Sequence, residues 1–228
     1  MARITIDARK YFDYGVGTYI QNLVQALAKL DLKNSYTLVV SPQVAANISV
    51  PRGWNKMVVS HKKYSVREMF LLGYQVRKKG VDVFHSPHYT LPLGSGRRSV
   101  ATIHDLIHLR FPEYFSIFQR AYALVVMRHA VHDAGAVIAN SQFTKQDLLK
   151  TFRIDEGKIH IIHPGIGSEF RKIERDKEVE DFRRRYQLRN PFILYVGSVK
   201  AHKNIPILLR AYKNFSASNK DVELVFAG

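Results

Sequence analysis

Short apolar runs alternate with segments of helical periodicity over most of the first 163 residues. The runs predict buried strands at 3–8, 36–41, 55–60, 81–85, 99–104, 136–139 and 158–163. Apolar residues every three or four positions predict helices at 19–30, 66–79 and 112–133. Strands separated by helices pair in parallel, with helices on both faces of the sheet. Because such crossovers are right-handed, the pattern predicts an α/β fold with a doubly wound parallel sheet.

One more helix is predicted between the strands at 136–139 and 158–163. Either Ser141 or Thr144 is a suitable N-cap residue for it. Asp147 stands three positions after Thr144, where a capping-box partner is expected.

The character of the chain changes after Pro164. A polar and charged stretch predicts a linker that runs into a surface helix, and a second α/β start follows it. This start has strands at 192–196 and 222–227 around a helix at 203–218. A β-α-β piece of this size leaves both sheet faces and one edge open, so we expect an incomplete domain. The predicted divisions are an N-terminal domain at 1–168, a linker at 169–190 and an incomplete C-terminal domain at 191–228.

The composition excludes several classes of protein. The sequence has no cysteine, so it offers neither a disulfide framework nor a thiolate metal site. No run approaches the roughly 18 apolar residues of a membrane-spanning helix. The N-terminus follows a strand pattern and lacks the apolar core of a secretory signal. These features favour a cytoplasmic location.

The charge is unusually positive, with 35 Lys and Arg residues against 19 Asp and Glu residues, a net charge of +16. Such a surface attracts nucleic acid, anionic lipid or phosphorylated substrates. No nucleic-acid-binding module is recognisable, so we expect no nucleic-acid partner. A basic run accompanied by one acid, Glu68, is either an ordinary solvated face or a surface for an anionic membrane or an acceptor. Its residues are Arg52, Lys56, Lys62, Lys63, Arg67, Arg77, Lys78 and Lys79.

Two glycines stand between the first strand and the first helix, in Gly15-Val16-Gly17. Glycines before a helix let a phosphate approach free N–H groups and the positive end of the helix dipole. The dinucleotide fingerprint would need a third glycine, and Ile20 occupies that position. The pattern is therefore either a phosphate-binding turn or a purely structural one.

His104 and Asp105 lie at the end of the strand predicted at 99–104, where ligands bind in open α/β sheets. A histidine there can hydrogen-bond a substrate hydroxyl. The pair with His108 imitates a zinc motif, but that motif needs both histidines on one helix and a Glu as base, so zinc is disfavoured.

Three further groups of residues could belong to a site. His85 and His88 are interpreted as rim-loop residues because Pro87 interrupts any regular element, and His129 and His132 as packing or surface residues of a helix. The loop after Tyr195-Val196-Gly197 carries Ser198, Lys200 and Lys203 ahead of a helix. It is either a diphosphate site or a solvated turn.

Six motifs in order resemble the retaining glycosyltransferases of the GT-B fold, family four, and in particular the mannosyltransferase-like members that build bacterial surface polysaccharides. They cover residues 1 to 228. The motifs are Gly15-Val16-Gly17-Thr18-Tyr19, Asp82-Val83-Phe84-His85-Ser86-Pro87, Thr102-Ile103-His104-Asp105-Leu106, Ala139-Asn140-Ser141-Gln142-Phe143-Thr144, Ile162-His163-Pro164-Gly165-Ile166, and Tyr195-Val196-Gly197 to Lys203-Asn204.

The resemblance implies one complete Rossmann-like domain on the acceptor side and the first β-α-β of a second, nucleotide-sugar-binding domain. It implies transfer of a hexosyl group, such as mannosyl, from a GDP- or UDP-linked sugar to a saccharide or lipid-linked acceptor. Transfer proceeds with retention, without metal or other cofactor, because positive groups and helix ends balance the leaving diphosphate.

The resemblance also assigns roles to residues. His104 contacts the donor sugar and Asp105 holds the loop behind it, which makes them the candidate catalytic pair. Gly15 and Gly17 line the cleft near the diphosphate. Lys203 binds the diphosphate with help from Lys200, and Ser198 stands where many members have an arginine.

The family's paired glutamates, its base-recognising pocket and its returning C-terminal helix have no counterpart in residues 1–228. We therefore expect these residues alone to bind nucleotide sugar poorly and to be inactive. The alternative is a non-catalytic remnant, or one half of a split enzyme whose missing domain comes from another chain. An enzyme of this kind would work in the cytoplasm, peripherally at the inner face of the membrane.

Overall fold

The computed structural model describes residues 1–60, 66–167, 170–174 and 176–228. The chain divides into two compact units, Met1–Gly167 and Ser168–Gly228. Each unit is described by itself below.

The first unit contains a seven-stranded sheet in the order β3-β2-β1-β4-β5-β6-β7, and every neighbouring pair is parallel. Its strands are β1 Arg3–Asp7, β2 Ser35–Val40, β3 Asn55–Val58, β4 Val83–Ser86, β5 Ser99–Ile103, β6 Ala136–Ala139 and β7 Ile159–Ile161. Its helices are α1 Tyr14–Leu30, α2 Pro42–Asn47, α3 Val66–Lys78, α4 Ile107–Arg110, α5 Ile117–Asp133 and α6 Gln142–Thr151. The predicted doubly wound parallel sheet is confirmed.

The sheet is buried on both faces, which explains why its strands appear as continuous apolar runs. Along β2, Leu38 and Val40 pack in one core cluster with Ile20 and Val24 of α1. Val39, between them, points to the other face and packs in the second cluster, which includes residues of α3, α5 and α6. The alternation places helices on both sides of one sheet.

The strand order reverses direction between β1 and β4, which lie side by side at the centre of the sheet. In open α/β sheets this switch point opens a crevice outside the carboxyl ends of the strands, and ligands bind there. A site is therefore expected among the loops that follow β1, β4 and β5.

The predicted helix at 112–133 is interrupted near its start, which corrects that prediction. Pro112–Tyr114 forms a short 3-10 turn, and α5 begins only at Ile117. Ser116 causes the restart with a capping box, in which its Oγ accepts from the Gln119 N–H at 3.3 Å and its own N–H donates to Gln119 Oε1 at 2.9 Å.

Two other local predictions need correction. Ser141 caps α6, accepting from the Thr144 N–H at 3.1 Å, so Thr144 lies inside the helix. Asp147 is no capping partner, because it binds the Arg110 guanidinium at 2.8 Å. His129, interpreted only as a packing or surface residue, lies 3.0 Å from the Asp133 carboxylate one helical turn later.

The second unit contains a parallel two-stranded sheet and two helices. Its elements are α7 Asp176–Arg185, β8 Phe192–Val196, α8 Ile205–Ser216 and β9 Glu223–Ala227. The β-α-β arrangement is as predicted, and α7 is the surface helix predicted at the end of the linker. Sheet residues such as Leu194 and Val196 are half or more exposed. That the unit begins a nucleotide-sugar-binding domain stays a prediction.

Candidate active site

The candidate site lies at the carboxyl ends of β1, β4 and β5. The first of these ends is fixed by a buried ion pair, in which an Arg9 Nη lies 2.5 Å and its Nε 2.8 Å from the two oxygens of Asp7. Both side chains are less than a tenth exposed. Paired in this way, the two charges tolerate burial and fix the chain where it leaves β1.

The two glycines lie inside the first turns of α1, not in the turn before it, which corrects the sequence interpretation. The reversal is made earlier, by hydrogen bonds from Tyr11 N–H to Ala8 O and from Asp13 N–H to Lys10 O. A Cβ on Gly17 would lie 2.6 Å from the Tyr11 carbonyl oxygen, so Gly17 permits close packing of helix and loop. A Cβ on Gly15 would meet nothing within 4 Å. Their predicted position beside a donor diphosphate stays a prediction.

His104 directly follows β5 and is held in one orientation. Its Nε2 lies 3.0 Å from the Pro87 carbonyl oxygen, and the Tyr19 ring packs edge-on against its ring with centroids 5.0 Å apart. A carbonyl oxygen can only accept, so Nε2 carries the proton. In the neutral ring Nδ1 is then an acceptor, and within the described residues it has no hydrogen-bond partner. It can accept a hydrogen bond from a substrate hydroxyl.

The environment keeps the His104 ring neutral. Burial lowers its pKa from the usual value, and the charge of Lys10 lowers it further. The Pro87 hydrogen bond and the Asp105 carboxylate act in the opposite direction without reversing the shift. At neutral pH the side chain is therefore an imidazole, not an imidazolium.

Asp105 is exposed and organises the loop after His104. Its Oδ1 accepts from the Ile107 N–H at 3.1 Å, at the residue where α4 begins. The carboxylate thereby fixes the chain that follows His104.

A chain of hydrogen bonds joins β4, β5 and α1 next to the site. Thr102 Oγ1 lies 2.9 Å from His85 Nε2 and 3.4 Å from the Tyr19 hydroxyl. The rim-loop interpretation of His85 is wrong, because β4 continues to Ser86 and places His85 within the sheet. Burial, and to a smaller extent the neighbouring His104, lower the pKa of His85 to about 4. The sequence signal for this chain was the presence of polar residues near the ends of two neighbouring strands.

We expect the free energy of unfolding to decrease by about 2 kcal/mol between about pH 7.5 and pH 5, from His85 alone. A histidine whose pKa is lower when folded binds protons more readily in the unfolded chain. Stability is therefore full above pH 6.5 and is lost as the pH falls towards 4. Urea unfolding across this range measures the effect.

The matched control is His85→Gln, which retains a hydrogen-bonding group for Thr102 but does not titrate. Its stability should fall less across the same range, retaining only what His88, His104 and His108 contribute in the same direction. Identical pH dependence in the variant and the unchanged protein would contradict the assignment to His85.

His88 and His108 extend the cluster. The His88 ring lies against Tyr89 with centroids 3.9 Å apart, and His108 packs on Phe115. The Nδ1 atoms of both histidines are buried, without a hydrogen-bond partner in the described part of the chain. Burial lowers the pKa of His108 and, with the charges of Lys10 and neighbouring histidines, lowers that of His88 well below the usual value. Among the described residues, no three His, Asp or Glu side chains are arranged to hold a metal ion.

The predicted diphosphate residues lie in the loop between β8 and α8 of the second unit. The Ser198 carbonyl accepts from the Tyr195 hydroxyl at 3.2 Å and from the Lys200 N–H at 3.0 Å. Lys203 ends a 3-10 turn directly before α8 and is exposed, as is Lys200. Both lysines stand near the start of a helix, and their binding of a diphosphate stays a prediction.

The predicted basic surface is partly changed by the structure. Lys56 belongs to the fold, since its ammonium donates to the carbonyl oxygens of Ala45 and Ile48 at the end of α2, at 3.0 and 2.8 Å. The side chains that remain exposed are those of Arg52, Arg77, Lys78 and Lys79. Lys62, Lys63 and the side chain of Arg67 lie outside the described residues. None of the described helices is long and apolar enough to cross a membrane.

The fold is similar to that of solved glycosyltransferases. HepE of Anabaena, solved in complex with UDP and glucose, superposes with a TM-score of 0.65 at 15% identity, covering 99% of this chain and 61% of that one. WaaG, a glycosyltransferase involved in lipopolysaccharide biosynthesis, has a TM-score of 0.65 at 13% identity, with 99% and 70% covered. The fold is thus of the GT-B type.

Sequence comparison gives the family. Residues 14–170 match Glycosyltransferase Family 4, and the chain belongs to that family. It is similar to the O-antigen chain mannosyltransferase RfbU of Salmonella typhimurium, with 25% identity over 186 residues, or 82% of this chain and 47% of RfbU. The chain spans less than half the length of that relative.

Proposed function

We propose that this chain is part of an enzyme that transfers a hexosyl group from a nucleotide sugar to a saccharide or lipid-linked acceptor, with retention at the anomeric carbon. The bond from the anomeric carbon to the diphosphate breaks, a bond to the acceptor hydroxyl oxygen forms, and the hydroxyl proton leaves with the diphosphate. The reaction serves the synthesis of a cell-surface polysaccharide, in the cytoplasm at the inner face of the membrane.

The proposal rests on the protonation and the hydrogen bonding of His104 in a chain of Glycosyltransferase Family 4. The side chain is neutral, it is fixed through Nε2, and it leaves Nδ1 to accept a hydrogen bond at the switch-point crevice. A fixed neutral acceptor can orient a sugar hydroxyl next to the reacting carbon. Asp105 supports it by holding the following loop.

The donor is a nucleoside diphosphate sugar. HepE was solved with UDP and glucose, which supports UDP as one choice, and the name of RfbU supports mannose as the transferred sugar. In the second unit, Lys200 and Lys203 would balance the diphosphate without a metal ion, as positively charged groups can do. In the first unit, the start of α1 is a separate candidate, because a helix end favours negative charge. Gly15 leaves that helix start open.

The test measures hexose transfer from labelled GDP-mannose and UDP-glucose into a lipid-linked saccharide fraction, with and without EDTA. Since the chain spans less than half of RfbU, the gene product at its natural length is compared with residues 1–228 alone. We expect transfer by the former that survives EDTA, and none by the latter. Absence of transfer from both donors by the natural product would favour a non-catalytic binding module.

The membrane surface is tested separately. Replacing Lys78 and Lys79 together by glutamine should weaken binding to vesicles rich in phosphatidylglycerol by about thirtyfold, since each basic residue near an anionic surface contributes about 1 kcal/mol. Both residues are exposed at the end of α3, on which Phe70 and Tyr74 are also more than half exposed. Vesicle sedimentation measures the effect.

The matched control replaces two exposed lysines of the second unit, Lys213 and Lys220, with the same change in net charge. It should bind nearly as well as the unchanged protein. Equal loss in both variants, or binding that ignores the anionic lipid content, would contradict a membrane surface at α3.

A further inference from the structure

A cavity lies at the opposite end of the strands from the candidate active site. It has a volume of about 260 Å³ and is formed by the end of α3 and the turns that lead into β4 and β5. Because the strands are parallel, their amino ends all lie on this side of the sheet, away from the switch-point crevice. Its volume is just below the usual range for small-molecule sites, so a ligand must be small.

Two arginines line this cavity. Arg77 and Arg98 reach it from α3 and from the turn before β5, and neither forms an ion pair within the described residues. The nearby carboxylate of Asp82 is already engaged by Arg3, which donates to it from its backbone N–H at 2.8 Å and from its side chain at 3.4 Å. The two guanidinium groups therefore retain donors for an anion.

Gly94 lets the Arg77 guanidinium lie close to the turn before β5. Gly94 has φ +76°, and a Cβ at this position would lie 2.7 Å from an Nη of Arg77. A larger residue here would therefore displace the guanidinium, and its left-handed backbone favours glycine.

Three apolar side chains form part of the remaining wall, beside Gly80, Gly94 and Ser95. Val76 and Phe84 are at most 5% exposed, and Val81 is packed against the same core cluster. A ligand in contact with this wall and with both arginines must combine an anionic end with a small apolar part. A phosphomonoester carries close to two negative charges at neutral pH and accepts bidentate hydrogen bonds from arginine.

We propose that this cavity binds a phosphomonoester anion that carries a small apolar group. Arg77 and Arg98 would hold the phosphate, and Val76, Val81 and Phe84 would contact the apolar group. The phosphomonoester comes either from a soluble metabolite or from a lipid headgroup. The site is separate from the candidate active site and does not depend on the proposed glycosyl transfer.

The test is calorimetric titration of the natural gene product with phenyl phosphate. Relative to the unchanged protein, the double variant Arg77→Gln with Arg98→Gln should bind at least about tenfold more weakly, because it loses the hydrogen bonds that both guanidinium groups donate to the charged ligand. Arg98→Lys keeps the charge but loses the planar fork, and should give an intermediate loss. Inorganic phosphate should bind more weakly than phenyl phosphate, because it does not contact the apolar wall.

The control is Lys150→Gln with Arg153→Gln, an equal charge change at two exposed residues outside the cavity. Unchanged binding by the Arg77 and Arg98 double variant, or equal loss in this control, would overturn the proposal. Thermal unfolding of each variant is measured first, and if Arg77→Gln is destabilised, Arg98→Gln alone decides.

Two arms separate the sources of the phosphomonoester. If the protein binds phosphatidic acid vesicles only when both arginines are present, the source is a lipid headgroup. If it binds soluble phenyl phosphate but not the vesicles, the source is a metabolite. Binding of neither probe overturns the site.

Discussion

Replacing His104 by alanine should lower the rate of hexosyl transfer by the natural gene product about 100-fold, with little change in KM. The structure gives two reasons. The ring is fixed by its hydrogen bond to the Pro87 carbonyl, and its neutral Nδ1 is the acceptor that remains for a substrate hydroxyl. An interaction that strengthens as the reacting sugar becomes charged contributes to kcat more than to KM. Steady-state kinetics with the labelled donor measure both constants.

The variant His104→Gln tests whether the hydrogen bonds of the side chain support the reaction. Its amide can donate to the Pro87 carbonyl while its oxygen accepts, so it should recover part of the rate. His132→Ala is the matched control, because this histidine is exposed near the end of α5. Equal activity of His104→Ala and the unchanged protein would remove His104 from the reaction.

Replacing Gly17 by alanine should lower the free energy of unfolding by about 3 kcal/mol. The new methyl group would lie 2.6 Å from the Tyr11 carbonyl oxygen and 3.1 Å from that of Lys10. Both atoms belong to backbone, so the loop after β1 must move away from α1. The loop follows β1 at the switch point of the sheet, so donor affinity should fall as well. Denaturant unfolding and donor binding measure the two effects.

Gly15→Ala is the matched substitution two residues earlier. A Cβ there meets nothing within 4 Å, and alanine is favoured over glycine in a helix by up to about 1 kcal/mol. Stability should be unchanged or increased, while donor affinity should fall if the diphosphate approaches this helix start closely. A stabilised Gly17→Ala variant, or a strongly destabilised Gly15→Ala variant, would contradict the packing described at α1.

Most of the sheet was predictable because it is buried on both faces. Apolar runs marked the strands of the parallel sheet to within one or two residues at most boundaries, as for β1 and β6. Helices with a full apolar stripe, such as α3, were equally clear. The short helices α2 and α4, with six and four residues, were missed because they are too short to show a period.

The site was less predictable, because its contacts join residues that are distant in sequence. His104 was singled out by its place after a strand, but its partner Pro87 lies in another loop. The His85–Thr102–Tyr19 chain needs three elements at known positions. Lys56 looked like a surface charge because its carbonyl partners lie eight and eleven residues away. The His129–Asp133 pair, in contrast, has ordinary helical spacing and could have been found in the sequence.

The most direct test of the central claim, retaining hexosyl transfer, is the anomeric configuration of the product. The natural gene product is incubated with GDP-α-D-mannose or UDP-α-D-glucose and the lipid-linked acceptor fraction, and the new linkage is determined by NMR. Retaining transfer gives an α-hexoside, as in the donor. A β-hexoside would contradict retention, and the absence of any new hexoside from either donor would contradict hexosyl transfer itself.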